Sequence, residues 1–516
     1  MRHVTASVAS MRFNLATALV DRHVEAGDGS RFAFRADGRD VSYAELARLV
    51  ARSGNAWREL GLEGEQRLAL ILPDSLDFVL AFLGAIRIGA IPVTLSTQLR
   101  PADYAYLLAD SGARAVAVHS SLAPLIDAIR AQLPELRTVV VADGAEHRAR
   151  IERSSDWLDE ARTGPDDVSF WQYSSGTTGR PKGVMHRQRR CAAPAELHGR
   201  YVLGMTRDDR SFSVAKLFFS YGINNSLVIP LHHGASSVLL AERPEPARVF
   251  ELVERERPTV FYGVPTGYAA ALAHAETMPR LPDVSSIRAF VSAGEALPKA
   301  LFDRWKRVFG AEILDGIGST EIGYICISNV PGRARGGTSG EVVHGYEAMV
   351  ADDDGRPVPT GEIGELWVQG PSTALGYWNK PAETERTFHG PWVRTGDRYV
   401  VGADGYHTYV GRGDDMLKVS GQWLSPLEVE SALLEHDAVL ECAVVGATDA
   451  DGLVKPRAFV VLKRGRTASP ALADKLKAFV KARIAPYKYP RWIEFVPELP
   501  KTSTGKIQRY LLRSRA

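Results

Sequence analysis

The stretch Tyr173–Gly183 reads YSSGTTGRPKG and gathers hydroxyls, glycines and one lysine into a short span. Ser174, Ser175, Thr177 and Thr178 can donate to phosphate oxygens, as can the backbone N–H groups around them. Gly176 and Gly179 let the backbone come close to a ligand, and Pro181 stiffens the turn before Lys182, which adds a point charge. The order differs from the G-x-x-x-x-G-K-[ST] phosphate loop. The plain alternative is an exposed loop with a solvated lysine. Four further stretches carry chemistry. Ile313–Glu321 reads ILDGIGSTE and ends on a hydroxyl beside a carboxylate. Glu321 is a hard oxygen donor of the kind Mg²⁺ prefers, although a Thr-Glu pair also suits the first turn of a helix. Arg394–Asp397 reads RTGD, where a carboxylate can accept two neighbouring hydroxyls or merely sit in a turn. Gly411–Asp415, GRGDD, sets glycine among charges as a hinge would. Leu499–Lys506, LPKTSTGK, alone would pass for a mobile tail.

Together, and in this order, these motifs resemble those of the acyl-adenylate-forming enzymes: acyl- and aryl-CoA ligases, luciferases and the adenylation domains of peptide synthetases. The resemblance covers nearly the whole chain. The segment Lys216–Asn225, KLFFSYGINN, is most similar to that of benzoate-type CoA ligases. The resemblance implies ATP, Mg²⁺ and coenzyme A. It places the nucleotide against Ser174, Ser175, Gly176, Thr177, Thr178, Gly179, Lys182, Gly294, Glu295, Asp315, Gly316, Ile317, Thr320, Asp397, Arg412 and Lys506. Asp397 and Arg412 would hold the ribose. Lys506, Thr320 and Glu321 would serve catalysis, with Mg²⁺ on Glu321 and Thr178. The acyl pocket would be lined by Phe219, Ser220, Tyr221, Gly222, Ala293, Gly294, Ile317, Gly318, Gly323 and Tyr324. Asp414 would be the pivot of a mobile C-terminal domain that presents Gly421 for thioester formation. One departure stands out: Gly323 and Tyr324 replace the bulky aliphatic residue and histidine that benzoate-type ligases tend to carry after the glutamate. Gly323 is expected to enlarge the pocket, which favours a substituted benzoate or a bicyclic, naphthoate-like acid. The alternative is a stand-alone adenylation enzyme that loads a carrier protein in trans, since no carrier domain follows Lys506.

The elements that must position these groups alternate. Arg67–Leu72 is an apolar strand, Ser75–Ile88 has helical spacing, and Ala90–Leu95 is a second strand, which makes a parallel crossover unit. Repeated alternation gives an α/β fold: a large N-terminal domain of doubly wound sheets over 1–413 and a small α+β C-terminal domain over 414–516, joined by the hinge. Glycine-punctuated short runs over 337–411 read as a β-rich subdomain with Tyr377 and Trp378 in its core. Ser292–Pro298 reads as a strand end opening a helix, a usual place for a nucleotide. Ser42 with Glu45, and Ser425 with Glu428, fit capping boxes.

At 516 residues the chain exceeds one ordinary domain, and 45% hydrophobic with 24% charged residues is usual for a globular protein. A formal net charge of +2 gives no footprint for nucleic acid or an anionic membrane. Three dispersed cysteines show no metal spacing and suit a reducing compartment. The apolar run Leu76–Val93 carries Asp77 and Arg87, which argues against a membrane span, and the N-terminus lacks a signal-peptide run. The expectation is a cytoplasmic monomer or homodimer.

Overall fold

The run RLALIL folds as the strand Arg67–Ile71 because its side chains alternate between two apolar surfaces. Leu68 and Leu70 join one core cluster, Ala69 and Ile71 another. Ser75 caps the helix Leu76–Arg87 by accepting from the Phe78 N–H at 3.3 Å. After Gly89, which takes φ +77°, the strand Ile91–Thr94 pairs parallel to Arg67–Ile71. That helix is apolar all round because it lies in a layer shared by two sheets: Phe78, Val79, Phe82 and Leu83 pack in the same cluster as Phe34 and Val41 of one sheet and Leu68 and Leu70 of the other.

This computed structural model describes residues 12–36, 38–174, 180–413, 415–419, 422–449, 453–501 and 507–515. Of the residues singled out above, Ser175, Gly176, Thr177, Thr178, Gly179, Asp414, Gly421 and Lys506 lie outside them. Among the described residues there are five sheets. In the nine-stranded sheet, six neighbouring strands run parallel, from Ile313–Gly318 through Ala289–Ser292, Val260–Gly263, Arg210–Ser213 and Ser236–Val238 to Phe32–Ala36. The helices Pro246–Glu256, Pro265–Ala275 and Lys299–Phe309 cover its outer face. The seven-stranded sheet has a parallel core of Val168–Ser174, Ile91–Thr94, Arg67–Ile71, Ala115–Val118 and Thr138–Val141.

The third sheet is antiparallel and made of Glu347–Ala351, Gly364–Gln369, Phe388–His389, Trp392–Val401 and His407–Arg412. It is narrower than the 337–411 unit expected from glycine spacing. Glu341–Val342 is the edge of the nine-stranded sheet, and Gly376–Tyr377 joins the seven-stranded sheet beside Lys182–Arg187. Trp378 follows it there and packs on Trp171 with ring centroids 4.6 Å apart. Tyr377 and Trp378 therefore do not form the core of the β-rich unit.

Beyond Gly413 lie the ribbon Leu417–Val419/Gln422–Leu424 and a three-stranded sheet of Val439–Thr448, Val454–Leu462 and Trp492–Phe495. The helices Pro426–Leu434 and Pro470–Lys481 pack against that sheet through Val429, Leu433, Leu476 and Val480. Neither capping box forms fully. Ser42 accepts from the Glu45 N–H, but the Glu45 carboxylate pairs with Arg39. Ser425 makes no cap bond; its hydroxyl donates to the Val410 carbonyl, and Glu428 pairs with Lys488 at 2.6 Å.

Candidate functional site

The described ends of the phosphate stretch belong to two paired strands. Val168–Ser174 and Lys182–Arg187 pair antiparallel, with Tyr173 opposite Gly183 and Ser174 opposite Lys182. Ser174 Oγ donates to Glu321 Oε1 at 2.8 Å. The Tyr377 hydroxyl donates to the same oxygen at 2.9 Å, and Lys182 Nζ stands 4.4 Å from the centre of the Tyr377 ring. Ser174 and Tyr377, from distant parts of the chain, thus meet at one carboxylate, with Lys182 against the tyrosine ring. Burial, and then the negative charge of Glu321, raise the Tyr377 phenol far above its ordinary pKa, while Arg412 opposes the shift. His186, on the strand of Lys182 and stacked on Phe170, is pushed down to about 4 by burial and is neutral.

Glu321 sits on a tight turn and not at a helix start. The Gly323 N–H donates to the Ser319 and Thr320 carbonyls at 3.0 and 3.1 Å, and the Ala374 N–H donates to the Glu321 carbonyl at 2.9 Å. The strand leading into this turn, Ile313–Gly318, folds back on Ile325–Ser328 with a register shift at Gly318. Its glycines serve that close approach. A Cβ on Gly318 would lie 2.1 Å from the Tyr324 carbonyl oxygen, and one on Gly316 would lie 2.7 Å from the Ile327 oxygen. Gly323 does not enlarge an acyl pocket. Its φ is +91°, and the position of its missing Cβ is 2.7 Å from the Ser372 carbonyl oxygen.

The aromatic segment comes to the same place from the other side. Phe219 precedes the short helix Ser220–Ile223, and its ring meets Phe218 with centroids 4.7 Å apart. Ser220 Oγ donates to the Gly323 carbonyl at 2.8 Å. The rings of Tyr221 and Tyr324 stack at 6.1 Å, and the Tyr221 hydroxyl donates to the Val291 carbonyl at 3.2 Å. The Tyr324 hydroxyl is not left for a ligand to claim freely: it donates to Asn225 Oδ1 at 2.5 Å, and Asn225 Nδ2 donates to Ser213 Oγ at 3.2 Å. His198 meets the Tyr324 ring edge-on at 5.2 Å and is held neutral by burial, with its pKa down at about 3. Gly222 is required by packing, because a Cβ there would fall 2.0 Å from the Lys216 carbonyl oxygen.

Ala293, Gly294 and Glu295 follow the strand Ala289–Ser292, but residues 293–298 intervene before the helix Lys299–Phe309, so the strand does not open straight into it. Asp315 is buried. Its Oδ2 accepts from the Leu297 N–H at 3.3 Å, Oδ1 has no hydrogen-bond partner among the described residues, and burial pushes its pKa up to about 8. It lines a cavity of about 120 Å³ shared with Tyr409 and, from the smaller unit, Leu427 and Glu430. Asp397 and Arg412 are opposite each other in the antiparallel pair Trp392–Val401/His407–Arg412; Arg412 Nη1 reaches Asp397 Oδ1 at 3.1 Å and the Thr395 carbonyl at 2.9 Å. Lys501 and Ile507, which flank the stretch holding Lys506, form an antiparallel bridge.

The structure therefore brings Ser174, Lys182, Thr320 and Glu321 together, and Ser220, Tyr221, Gly323 and Tyr324 together. His198 was not picked out from the sequence, Tyr377 was read there only as core, and Asn225 only as the end of the Lys216–Asn225 segment. The GYW string around Tyr377 carries no local signal of a contact with Glu321. Among the described residues no group of three His, Cys, Asp or Glu side chains could hold a metal alone. A single carboxylate still suits Mg²⁺, which keeps its waters and binds phosphate oxygens. Glu321 fits that use, since its two donors among the described residues both take Oε1.

The chain belongs to the AMP-binding enzymes: residues 20–378 match that family and residues 428–506 match the AMP-binding enzyme C-terminal domain. It is 49% identical over 508 residues to the benzoate--CoA ligase of Thauera aromatica, covering 98% of this chain and 96% of that one. It is 47% identical over 508 residues to the 4-hydroxybenzoate--CoA/benzoate--CoA ligase of Rhodopseudomonas palustris, covering 97% and 94%. Its fold is similar to the crystal structure of the anthranilate CoA ligase AuaEII in complex with anthranoyl-AMP, with TM-score 0.93, 42% identity and 98% of each chain covered.

Proposed function

We propose that this protein is an AMP-forming aryl-acid:CoA ligase acting on benzoate or a substituted benzoate. The observation that carries the reading is the 49% identity to a benzoate--CoA ligase over 98% of the chain. In the first half-reaction a carboxylate oxygen attacks the α-phosphorus of ATP, and pyrophosphate leaves with the electrons of the broken P–O bond. Two anions must meet, so the site has to supply positive charge and hydrogen-bond donors without reorganising. Ser174 and Lys182 would donate to phosphate oxygens, Thr320 to the α-phosphate, and the Asp397–Arg412 pair would hold the ribose. Lys506 would stabilise the charge that builds on the reacting oxygens. Mg²⁺, held by Glu321 and Thr178, would supply neutralisation of phosphate charge. In the second half-reaction the CoA thiol attacks the acyl carbonyl, AMP leaves, and the thiol proton goes to solvent. A turn of the small domain about Asp414 would bring Gly421 to the site for this step.

Phe219 and Tyr221, with Ser220 between them, would give an aryl ring aromatic surface to gain from by stacking and area burial. The close contact behind Gly323 withdraws the argument for a bicyclic acid that its missing side chain offered. We place the reaction in the cytoplasm and take the protein as a monomer or homodimer; no helix among the described residues is long and apolar enough to cross a membrane. The test is ATP–pyrophosphate exchange with benzoate, hydroxybenzoates, anthranilate and naphthoates, followed by CoA addition and detection of the thioester by mass. Exchange and thioester with a benzoate support the reading. Exchange without thioester redirects it to a carrier protein as acceptor, and a naphthoate preference overturns the choice of a benzoate.

A further inference from the structure

Tyr377 touches two charged groups at once. Its hydroxyl donates to Glu321 Oε1 at 2.9 Å, and its ring faces Lys182 Nζ at 4.4 Å. Ser174 Oγ donates to that same oxygen at 2.8 Å, while among the described residues no donor reaches Oε2. A carboxylate oxygen has two lone pairs, so Oε1 is saturated and Oε2 is the atom left for a cation. Tyr377 is 6% exposed, and its hydroxyl is the donor in the bond to Glu321. Its backbone is stitched to both partners. Gly376–Tyr377 pairs with Met185 and Val184, the Trp378 N–H donates to the Gly183 carbonyl at 2.8 Å, and the Ala374 N–H donates to the Glu321 carbonyl at 2.9 Å.

We propose that Tyr377 is a positioning residue that turns Oε2 of Glu321 toward Mg²⁺ and holds Lys182 beside it through its ring face. The proposal rests on the reading of Glu321 as a Mg²⁺ ligand. Outer hydrogen-bond partners orient metal ligands in this way and commonly change metal affinity by about 10- to 100-fold when removed. A cation over an aromatic face is held by the ring quadrupole, which phenylalanine keeps.

The experiment is calorimetric binding of ATP to the intact protein, with excess Mg²⁺ and with EDTA, for wild type, Tyr377→Phe, Tyr377→Leu and Glu321→Gln. Tyr377→Phe should weaken binding of Mg²⁺–ATP by about tenfold and leave metal-free ATP unchanged. Tyr377→Leu should also weaken metal-free ATP, because the face under Lys182 is gone. Equal weakening of Tyr377→Phe with and without Mg²⁺ would mark a merely structural role and overturn the proposal. Wild-type binding by Tyr377→Phe, with Mg²⁺-dependent loss in Glu321→Gln, would overturn the proposal and leave the Glu321 reading standing. No Mg²⁺-dependent loss in Glu321→Gln would remove both.

Discussion

Burial sets the protonation state of Asp315. Its carboxyl is buried, and although Ser292 and the Leu297 and Gly316 backbones favour its charged form, burial outweighs them and its pKa rises to about 8. A carboxyl whose folded pKa lies above its unfolded one favours the folded state most at low pH, and that contribution is lost as pH rises through about 8. Wild type should therefore melt at lower temperature as pH climbs from about 6 to about 9, and Asp315→Asn should flatten that slope, by about 1–3 kcal/mol at the alkaline end. Melting curves across pH for the two proteins check this. Equal slopes would mean that Asp315 ionises freely where it sits. Lys506 belongs to the same scale, though its assignment comes from the LPKTSTGK string. Lys506→Ala should lower pyrophosphate exchange by about 100- to 1,000-fold and leave ATP binding nearly intact, because charge stabilisation acts on the transition state. Wild-type exchange in that variant would remove the assignment.

At the scale of elements, the turn bearing Thr320 and Glu321 exists because Gly318 lets two strands touch. A Cβ there meets backbone atoms of Tyr324 and Ile325, which cannot swing aside as a side chain could. Gly318→Ala should destabilise the protein by about 1–3 kcal/mol in denaturant titration. Gly164→Ala, whose Cβ would meet only Asp167 at 3.7 Å, should stay near wild type. Elements of this kind were unevenly legible in the sequence. The strand–helix–strand run from Arg67 to Thr94 could be read closely, because each side chain reports its own local period. Gly323 could not. A glycine in a sequence says that a side chain is missing, but not which way that side chain would have pointed. Ser425 and Glu428 had the spacing of a capping box, yet each found a distant partner in Val410 or Lys488. Tyr377 was hidden for the same reason, since its contacts come from sheet pairing and not from its neighbours in the chain.

Across the whole molecule, polar contacts join the larger and smaller units among the described residues. The Ser425 hydroxyl reaches the Val410 carbonyl of the antiparallel sheet, and Glu430, buried between the Val444 N–H and Arg509, lines the cavity that also holds Asp315. Because Ser425 contributes no cap bond to its own helix, Ser425→Ala tests the contact between the units without unwinding Pro426–Leu434. The loss of one hydrogen bond of about 1 kcal/mol should speed deuterium exchange in the ribbon Leu417–Leu424 by about fivefold, with the nine-stranded sheet unchanged. Unchanged exchange in the ribbon would mean that apolar packing alone joins the units.

The order of strands in the seven-stranded sheet also bears on how the chain is made. Lys182–Arg187 is covered on its outer side by Gly376–Tyr377, a strand that comes much later in the sequence. At about 5–20 residues per second of synthesis, the finished hairpin waits on the order of ten seconds for that cover. During that interval an unpaired strand edge is open to any neighbouring chain, with Lys182 and Arg187 at its two ends as the charges that discourage such pairing. A need for chaperones during translation would then follow from sheet order, whatever the stability of the completed protein.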